Sequence, residues 1–461
     1  MRLRSGAPPF PRISASPPLL GMPLAMRNDP LGVMRRIAAE CGDVGGFRVG
    51  PKLAVVANSP AAVREVLVDH PQDFDKGRLQ RRALRPLMGQ GLLSSEGDLH
   101  ATQRKLIQPH FVVRRIAGHV DTMVEVADRM IASWPDGGDV DLLDKMNELT
   151  IDIVGRVLLS TEIREEDALA AAMTDAFEWE MHAFTSAFAA PLWVPTPLNL
   201  RMKRAVRYLR SRIGEWIRER QASGEDKGDM LSMLMSLRYE DGTGMSEQQL
   251  FDETITLCGA AQETSADAQT WVLYLLARHP DVYARVREEV DTVLGGRPVT
   301  YDDLKELPYS LQVFKETLRL YPPASIMLRG AIRDTTIGGY HVPKGTVVLI
   351  SPYVLHRRES EYPDPERFDP SRFERENERK LPKYSFLPFG AGRRVCIGNH
   401  FALMEGHVLT VTLAQRADVD LVPDHPVEEQ LLINLRPRHG LKARVRHRSV
   451  PTGAEVAALR G

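Results

Sequence analysis

The chain is expected to fold as a mostly α-helical protein with a minor β-sheet region. Three observations carry this. Apolar residues recur at three- and four-residue spacing along much of the chain, the period of a helix with one buried face. A helix start is legible at Ser246, where Ser246 and Gln249 have the spacing of a capping box. Strand-like runs are short and few, as at residues 46–57 and 346–350.

Taken in order, residues 1–30 carry Pro8, Pro9, Pro11, Pro17 and Pro18, and read as irregular. The Val-rich stretch from Gly46 to Ala57 predicts a hairpin turning at Gly50-Pro51. Helical spacing follows at Ala61–Leu67, Ala101–Ile107 and Val120–Ser133. Periodicity fades over residues 76–95, which predicts a loop. An aromatic-rich helical stretch with Phe177, Trp179, Phe184 and Phe188 is interrupted at Pro191, Pro195 and Pro197. The long helix from Ser246 runs to His279, and Pro280 marks its end. Another, Leu311–Leu320, stops at Tyr321-Pro322-Pro323. Residues 357–388 are polar, Pro-rich and aperiodic; so long a loop in a compact domain signals function. Without repeats or low-complexity linkers, the economical division is a Pro-rich segment, 1–30, and one domain, 31–461.

Composition narrows the function. At 43% apolar, 461 residues can bury a substantial core. With 60 basic and 61 acidic residues, no nucleic-acid partner is expected. The basic run Arg436, Arg438, Lys442, Arg444, Arg446 and Arg448 has the spacing of a late strand with a solvated face. Cys41, Cys258 and Cys396 are too few and too scattered for a disulfide framework or a four-cysteine metal site. Sparse thiols fit a reducing cytoplasm. The N-terminal residues lack an apolar run long enough for a signal or membrane anchor, so a cytoplasmic location is expected.

The most informative stretch is Phe389-Gly390-Ala391-Gly392-Arg393-Arg394-Val395-Cys396-Ile397-Gly398, just before a helical run. Gly390, Gly392 and Gly398 are read as permitting close backbone approach and positive φ beside a bulky planar ligand. Arg394 offers a fixed cation for a ligand carboxylate, and the following helix offers N–H groups that stabilise a thiolate. A buried structural cysteine is the bland reading of a lone thiol, but here all ten positions match the pattern F-G-x-G-x-R-x-C-x-G. With this loop the sequence resembles the cytochrome P450 family, and the resemblance spans nearly the whole chain.

That resemblance implies a single haem domain of the P450 fold, with haem b (iron protoporphyrin IX) held axially by Cys396 and contacted by Phe389 and Gly398. Thiolate ligation favours O–O cleavage. Glu316-Thr317-Leu318-Arg319 is then the family's E-x-x-R pair, joined by Arg372 from Pro365–Phe373, with Arg367 a nearby competitor. These three residues have a structural role, supporting the haem loop. Gly259-Ala260-Ala261-Gln262-Glu263-Thr264-Ser265 matches the distal motif, with Ala261 where the family commonly has Gly. Glu263 and Thr264 are carried over as proton-delivery residues. His100, Arg104, Arg329 and Arg394 are the cations and donors for the haem carboxylates.

The family's substrate walls map to Leu92, Phe184, Phe188 and Leu257, then Ala260, Ala261, Ile326, Met327 and Ile433. Their apolar character implies an apolar small molecule: a terpenoid, polyketide, steroid or fatty acid. The expected reaction is hydroxylation or epoxidation by O2, with two electrons from a ferredoxin and ferredoxin reductase, in a monomer without a membrane anchor. Lys383 and Arg393 would draw the acidic ferredoxin. Oxidative coupling, desaturation or rearrangement, and a haem-binding sensor without turnover, are the alternatives.

Overall fold

A computed structural model describes residues 7–14, 21–49, 52–162, 168–185 and 190–448. Its principal helices are, in chain order, α1 (Pro30–Cys41), α2 (Gly77–Met88), α3 (Gly97–Ile107), α4 (Val120–Ser133), α5 (Leu142–Leu159), α6 (Ala168–Thr185), α7 (Pro197–Ser223), α8 (Glu247–Arg278), α9 (Pro280–Leu294), α10 (Pro308–Leu320) and α11 (Asn399–Arg416). Helices dominate and the sheets are small, as expected. Among the described residues no helix is long and apolar enough to cross a membrane.

The chain forms two compact units. The first contains Met1–Arg82, Leu318–Cys396 and Leu431–Leu435. Its five-stranded sheet has the order Val44–Val49, Lys52–Ala57, Val347–Ile350, Met327–Ala331, Phe74–Asp75. The first two strands are the expected hairpin, in register Val44 with Ala57; Gly50-Pro51 lies outside the described residues. Lys52–Ala57 and Val347–Ile350 run parallel, and both read as continuous apolar runs because both faces are covered. Val55, Ala57, Val348 and Ile350 face a cluster containing Ala62, Val63, Val66 and Leu67. Ala54, Val56 and Leu349 instead meet Val33, Met34 and Ile37 of α1, together with Tyr353. The α-helical turn Pro60–Arg64 continues as a π turn over Glu65–Asp69, closed by His70 N–H on the Glu65 carbonyl at 2.9 Å.

The second unit contains Ala83–Thr317, Ile397–Gln430 and Arg436–Gly461. At its centre α8 packs along α5 and against α11, buried on all sides for most of its 32 residues. Ser246 caps it by accepting the Gln249 N–H at 3.2 Å. The reciprocal half of the expected box is absent, because the Gln249 amide donates instead to Glu253 at 2.8 Å. A three-stranded sheet joins Gly138–Asp141, Lys442–His447 and Ala417–Leu421. The outward arginines of its middle strand pair with acids: Arg444 with Asp139 at 2.9 Å and Arg446 with Asp420 at 2.6 Å.

Two expectations need correction. Residues 76–95 are not a continuous loop, since α2 occupies Gly77–Met88. Its buried residues Ala83, Leu84, Leu87 and Met88 keep helical spacing, but Arg78, Arg81, Arg82 and Arg85 and an internal Pro86 obscure the pattern. Nor is the N-terminal stretch wholly irregular, because Gly21–Asn28 is a helix. Its Pro23 falls in the first turn, where no helical N–H is lost.

In α11, Gly406 lets the Phe314 ring approach the backbone: a Cβ there would lie 2.0 Å from Phe314 Cζ. Gly406→Ala should therefore lower stability by about 1–3 kcal/mol through overpacking, and Phe314→Leu should restore part of the loss. Thermal unfolding of the three proteins checks this, and an unchanged midpoint for Gly406→Ala would show that the ring moves aside freely.

Candidate active site

The thiol loop is built in the first unit from backbone geometry. Gly390 and Gly392 both have φ of 69°, a left-handed conformation that favours glycine. A Cβ on Gly392 would lie 1.9 Å from the Leu67 carbonyl oxygen, so the loop rests directly on the π turn. Gly398 departs from the expectation of positive φ: at −88° it is the N-cap of α11, and its carbonyl accepts the Ala402 N–H at 2.8 Å. Cys396 N–H donates to the Phe389 carbonyl at 2.9 Å and Val395 N–H to that of Gly392 at 3.1 Å, closing the loop. Cys396 is exposed, Cys41 half-buried and Cys258 buried. Burial pushes the Cys258 thiol up to about 12, which makes it a poor ligand.

The segment leading to this loop hangs on buried hydrogen bonds. Glu316 and Arg319 are both fully buried on α10, and the Arg319 guanidinium donates to the carbonyls of His356 (2.8 Å), Pro365 (2.7 Å) and Arg367 (3.1 Å). Arg372 donates to the carbonyls of Pro363 at 2.8 Å and Asp364 at 2.9 Å. Arg367, the expected competitor, contributes its carbonyl; its residue as a whole is exposed.

His356 was not anticipated from the sequence. Its Nδ1 donates to the Arg319 carbonyl at 3.1 Å, and its Nε2 accepts the Leu387 N–H at 2.8 Å. These partners define a neutral ring with its proton on Nδ1. Burial, followed by the Arg319 charge, pushes it down to about 3. The imidazole thus joins the α10 backbone to a residue two positions before Phe389. The available signal was a single histidine beside Arg357 and Arg358, too slight to read.

In the second unit, Thr264 Oγ1 donates to the Ala260 carbonyl at 2.8 Å. Glu263 is half-buried; burial raises its carboxyl and Arg436 opposes the rise. Ser265 donates to Glu405 of α11 at 2.5 Å, and the Gln269 amide donates to the Gly406 carbonyl at 2.9 Å. Burial pushes Glu405 up to about 7. Leu92 N–H donates to Glu253, itself pushed up to about 7 by burial, and Gln90 N–H donates to Asp252, each at 2.8 Å. These acids, also unanticipated, hold residues 90–92 against α8.

The expected haem-carboxylate partners fall in both units. His100 is buried and Arg104 half-buried, one turn apart on α3. Arg329 lies half-buried on the strand Met327–Ala331, and Phe389 and Arg394 are half-buried in the thiol loop. Of the expected substrate wall, Leu92 and Leu257 are buried, and Ala261, Ile326, Met327 and Ile433 half-buried; Ala260 is exposed. Phe188 and the Phe184 side chain lie outside the described residues.

These residues fit a haem. The loop presents an exposed thiol, and a side chain on Gly390 would come to 3.3 Å from the Met327 sulfur, so glycine keeps that approach open. The cytochrome P450 family model matches residues 8–441, and the chain belongs to this family of haem-thiolate monooxygenases. Over 88% of its length it is 37% identical to cyclooctat-9-en-7-ol 5-monooxygenase of Streptomyces melanosporofaciens, covering 89% of that protein. It is 32% identical to pentalenene oxygenase of Streptomyces avermitilis, over 94% of this chain and 96% of the relative. Among solved structures, the retinoic acid bound cyanobacterial CYP120A1 matches with a TM-score of 0.86 at 26% identity, covering 96% of this chain and 100% of that one. Membership carries a haem iron, O2 as oxidant and electrons from a redox partner.

The His356 geometry sets a pH dependence. An imidazole held neutral in the fold contributes stability that is complete above its ordinary value of 6.5 and is lost as pH falls towards about 3. His356→Gln, which retains an acceptor without titrating, should therefore lose less stability between pH 7 and pH 4 than the parent, as read by chemical unfolding. Equal losses would assign the acid sensitivity to other groups.

Proposed function

We propose that this enzyme hydroxylates or epoxidises a cyclic terpenoid, with residues 31–461 as one haem domain after the Pro-rich segment 1–30. The exposed Cys396 thiol, in a loop closed through Phe389 and left open by two positive-φ glycines, is the observation that carries the assignment. Cys396 would hold the iron of haem b through its sulfur, with Phe389 and Gly398 shaping its loop. Arg394 and Arg329 in the first unit, and His100 and Arg104 in the second, are the groups that would take the propionates, and Glu316, Arg319 and Arg372 order the segment that carries the loop. When bound, the haem supplies activation of O2 and insertion of one oxygen atom into substrate.

The chain's own residues position and supply protons. Glu263 is a half-buried carboxyl whose raised proton affinity suits it to hold a proton, and the Thr264 hydroxyl is pinned at the Ala260 carbonyl. The acid and alcohol together favour turnover over passive binding. In this reading Leu92, Leu257, Ala260 and Ala261 of the second unit would supply apolar surface to the substrate, and Ile326, Met327 and Ile433 are the apolar candidates of the first. Relatives named for pentalenene and cyclooctat-9-en-7-ol support a terpenoid among the apolar candidates. The electron donor in this reading is a ferredoxin with its reductase, and the enzyme is a cytoplasmic monomer in secondary metabolism.

The reduced, carbon monoxide-treated enzyme should show the absorption band of thiolate-ligated haem, and Cys396→Ala should lose it; a retained band would reject Cys396 as ligand. With a ferredoxin system and cyclic terpenes, isotopically labelled O2 should deliver one labelled atom to the product. Product without label would indicate desaturation or coupling instead. Lys383 and Arg393 are exposed and make no ion pair among the described residues. Reduction by an acidic ferredoxin should accordingly slow with rising salt and slow further in Arg393→Glu. Indifference to both would exclude this docking face.

A further inference from the structure

Residues 89–96, between α2 and α3, form a turn held by side chains of both α3 and α8. Within it, Gly91 N–H donates to the Met88 carbonyl, and the Ser94 and Ser95 N–H groups donate to the Gly91 carbonyl, each at 2.9 Å. The Gln90 and Leu92 N–H groups instead reach α8, donating to Asp252 and Glu253 at 2.8 Å. Glu253 is fully buried, and its other oxygen accepts the Gln249 amide at 2.8 Å. Asp252 accepts the Gln248 amide at 2.5 Å. From α3, the Gln103 amide donates to the Gln90 carbonyl at 2.9 Å, while its oxygen accepts the Ser95 hydroxyl at 2.6 Å.

The contact is as close as it is well bonded. A Cβ on Gly91 would lie 2.4 Å from the Asp252 carbonyl oxygen and 2.2 Å from Thr256 Oγ1. Bare backbone therefore lies directly on α8, and Leu92 is held against the turn Glu253–Leu257. Counting from Glu253, Leu257, Ala260 and Thr264 follow at four, seven and eleven residues, spacings that keep one face of a helix. Although α8 is buried along most of its length, it opens at 259–261 and 263–265, where its residues are half-buried or exposed. The clamped turn and this open stretch share one stripe of one helix. Thr264 stands about 16 Å along the axis from Glu253. The carboxylate is thus too distant to touch reacting atoms there, and its influence has to pass through the residue it holds.

We propose that Glu253 is a specificity-determining positioning residue. By holding the Leu92 N–H it fixes where the Leu92 side chain stands on α8, and so which carbon of the substrate is presented for oxidation. This rests on the assignment of Leu92 and Leu257 to the surface offered to substrate. Residues 89–96 belong to no helix or strand, so their place on α8 is set by such side-chain acceptors. Asp252 and Gln103 anchor Gln90, and Glu253 anchors Leu92.

The test uses the haem-loaded enzyme and its Glu253→Ala, Glu253→Gln, Glu253→Asp and Leu92→Ala variants. Imidazole and the bulkier 4-phenylimidazole serve as probes that bind haem iron, and cyclic terpenes as substrates. In Glu253→Ala the Leu92 amide should exchange its hydrogen roughly tenfold faster, as expected for loss of a hydrogen bond to a carboxylate. Imidazole affinity should stay the same, 4-phenylimidazole affinity should change several-fold, and the ratio of oxidised products should shift. Glu253→Gln, whose side-chain oxygen can still accept the Leu92 N–H, should restore the parent's values. Glu253→Asp keeps the charge but withdraws the acceptor by one methylene, and should move the same readouts in the direction of Glu253→Ala. It decides the matter if Glu253→Ala does not fold.

Faster Leu92 exchange and earlier unfolding, with the parent's 4-phenylimidazole affinity and product ratio, would make Glu253 a structural staple and overturn the proposal. Unchanged exchange at Leu92 would overturn it as well. Leu92→Ala separates this proposal from the reading beneath it. Should Leu92→Ala shift probe affinity and product ratio while the Glu253 variants do not, the positioning role alone fails. Should neither residue shift them, the assignment of Leu92 to the substrate surface fails too.

Discussion

One buried cation organises the segment that presents the thiol. Arg319 is wholly removed from solvent, a placement costing several kcal/mol unless its donors are met. Three backbone carbonyls meet them, from His356, Pro365 and Arg367, and the guanidinium lies over the Tyr362 ring with 5.1 Å to its centroid. The benefit is mutual. Residues 357–388 contain only short helical turns, so many of their carbonyls lack the partners that a helix or sheet supplies. Arg319 and Arg372 supply them from side chains. His356 extends the arrangement to Leu387, at the threshold of the thiol loop. Order in the segment leading to the thiol loop thus comes from buried side chains bonded to its backbone: Arg319 and Arg372 to carbonyl oxygens, and neutral His356 to the Leu387 N–H.

The second unit solves a different problem, a long helix with little solvent on any side. Acidic residues spaced along α8 reconcile its burial with polarity. Asp252 and Glu253 accept backbone N–H groups from residues 90 and 92. Farther along, Ser265 and Gln269 donate to α11. Between these anchored stretches lie Ala260, Ala261, Glu263 and Thr264, where side chains are small or their protons exchangeable. The helix is thus anchored on both sides of a short stretch of small and exchangeable side chains.

What could be read in advance follows from how local each signal was. The thiol loop was legible because its constraints are written into ten consecutive residues. The E-x-x-R pair was legible as a family motif, and its burial was foreseeable from the apolar residues around it on α10. The start of α8 was half legible: Ser246 caps as its spacing implies, but the Gln249 amide is drawn to Glu253 by a contact the spacing cannot reveal. Helix α2 stayed hidden behind four arginines and Pro86. The role of Gly398 was misjudged because a glycine before a helix serves equally well as an N-cap at negative φ. His356 and Glu405 act across long sequence separations, and nothing adjacent to them marks their partners.

The π turn at Glu65–Asp69 gives the thiol loop an architectural dependence of its own. A π turn accommodates one residue more than an α-helical turn, and here that extra residue belongs to the stretch whose Leu67 carbonyl abuts Gly392. The length of this turn and the absence of a side chain at position 392 are therefore two halves of one fit, although more than 300 residues separate them. A deletion in the turn would withdraw the carbonyl on which the loop rests, and any side chain at 392 would both strike that carbonyl and be held at a positive φ.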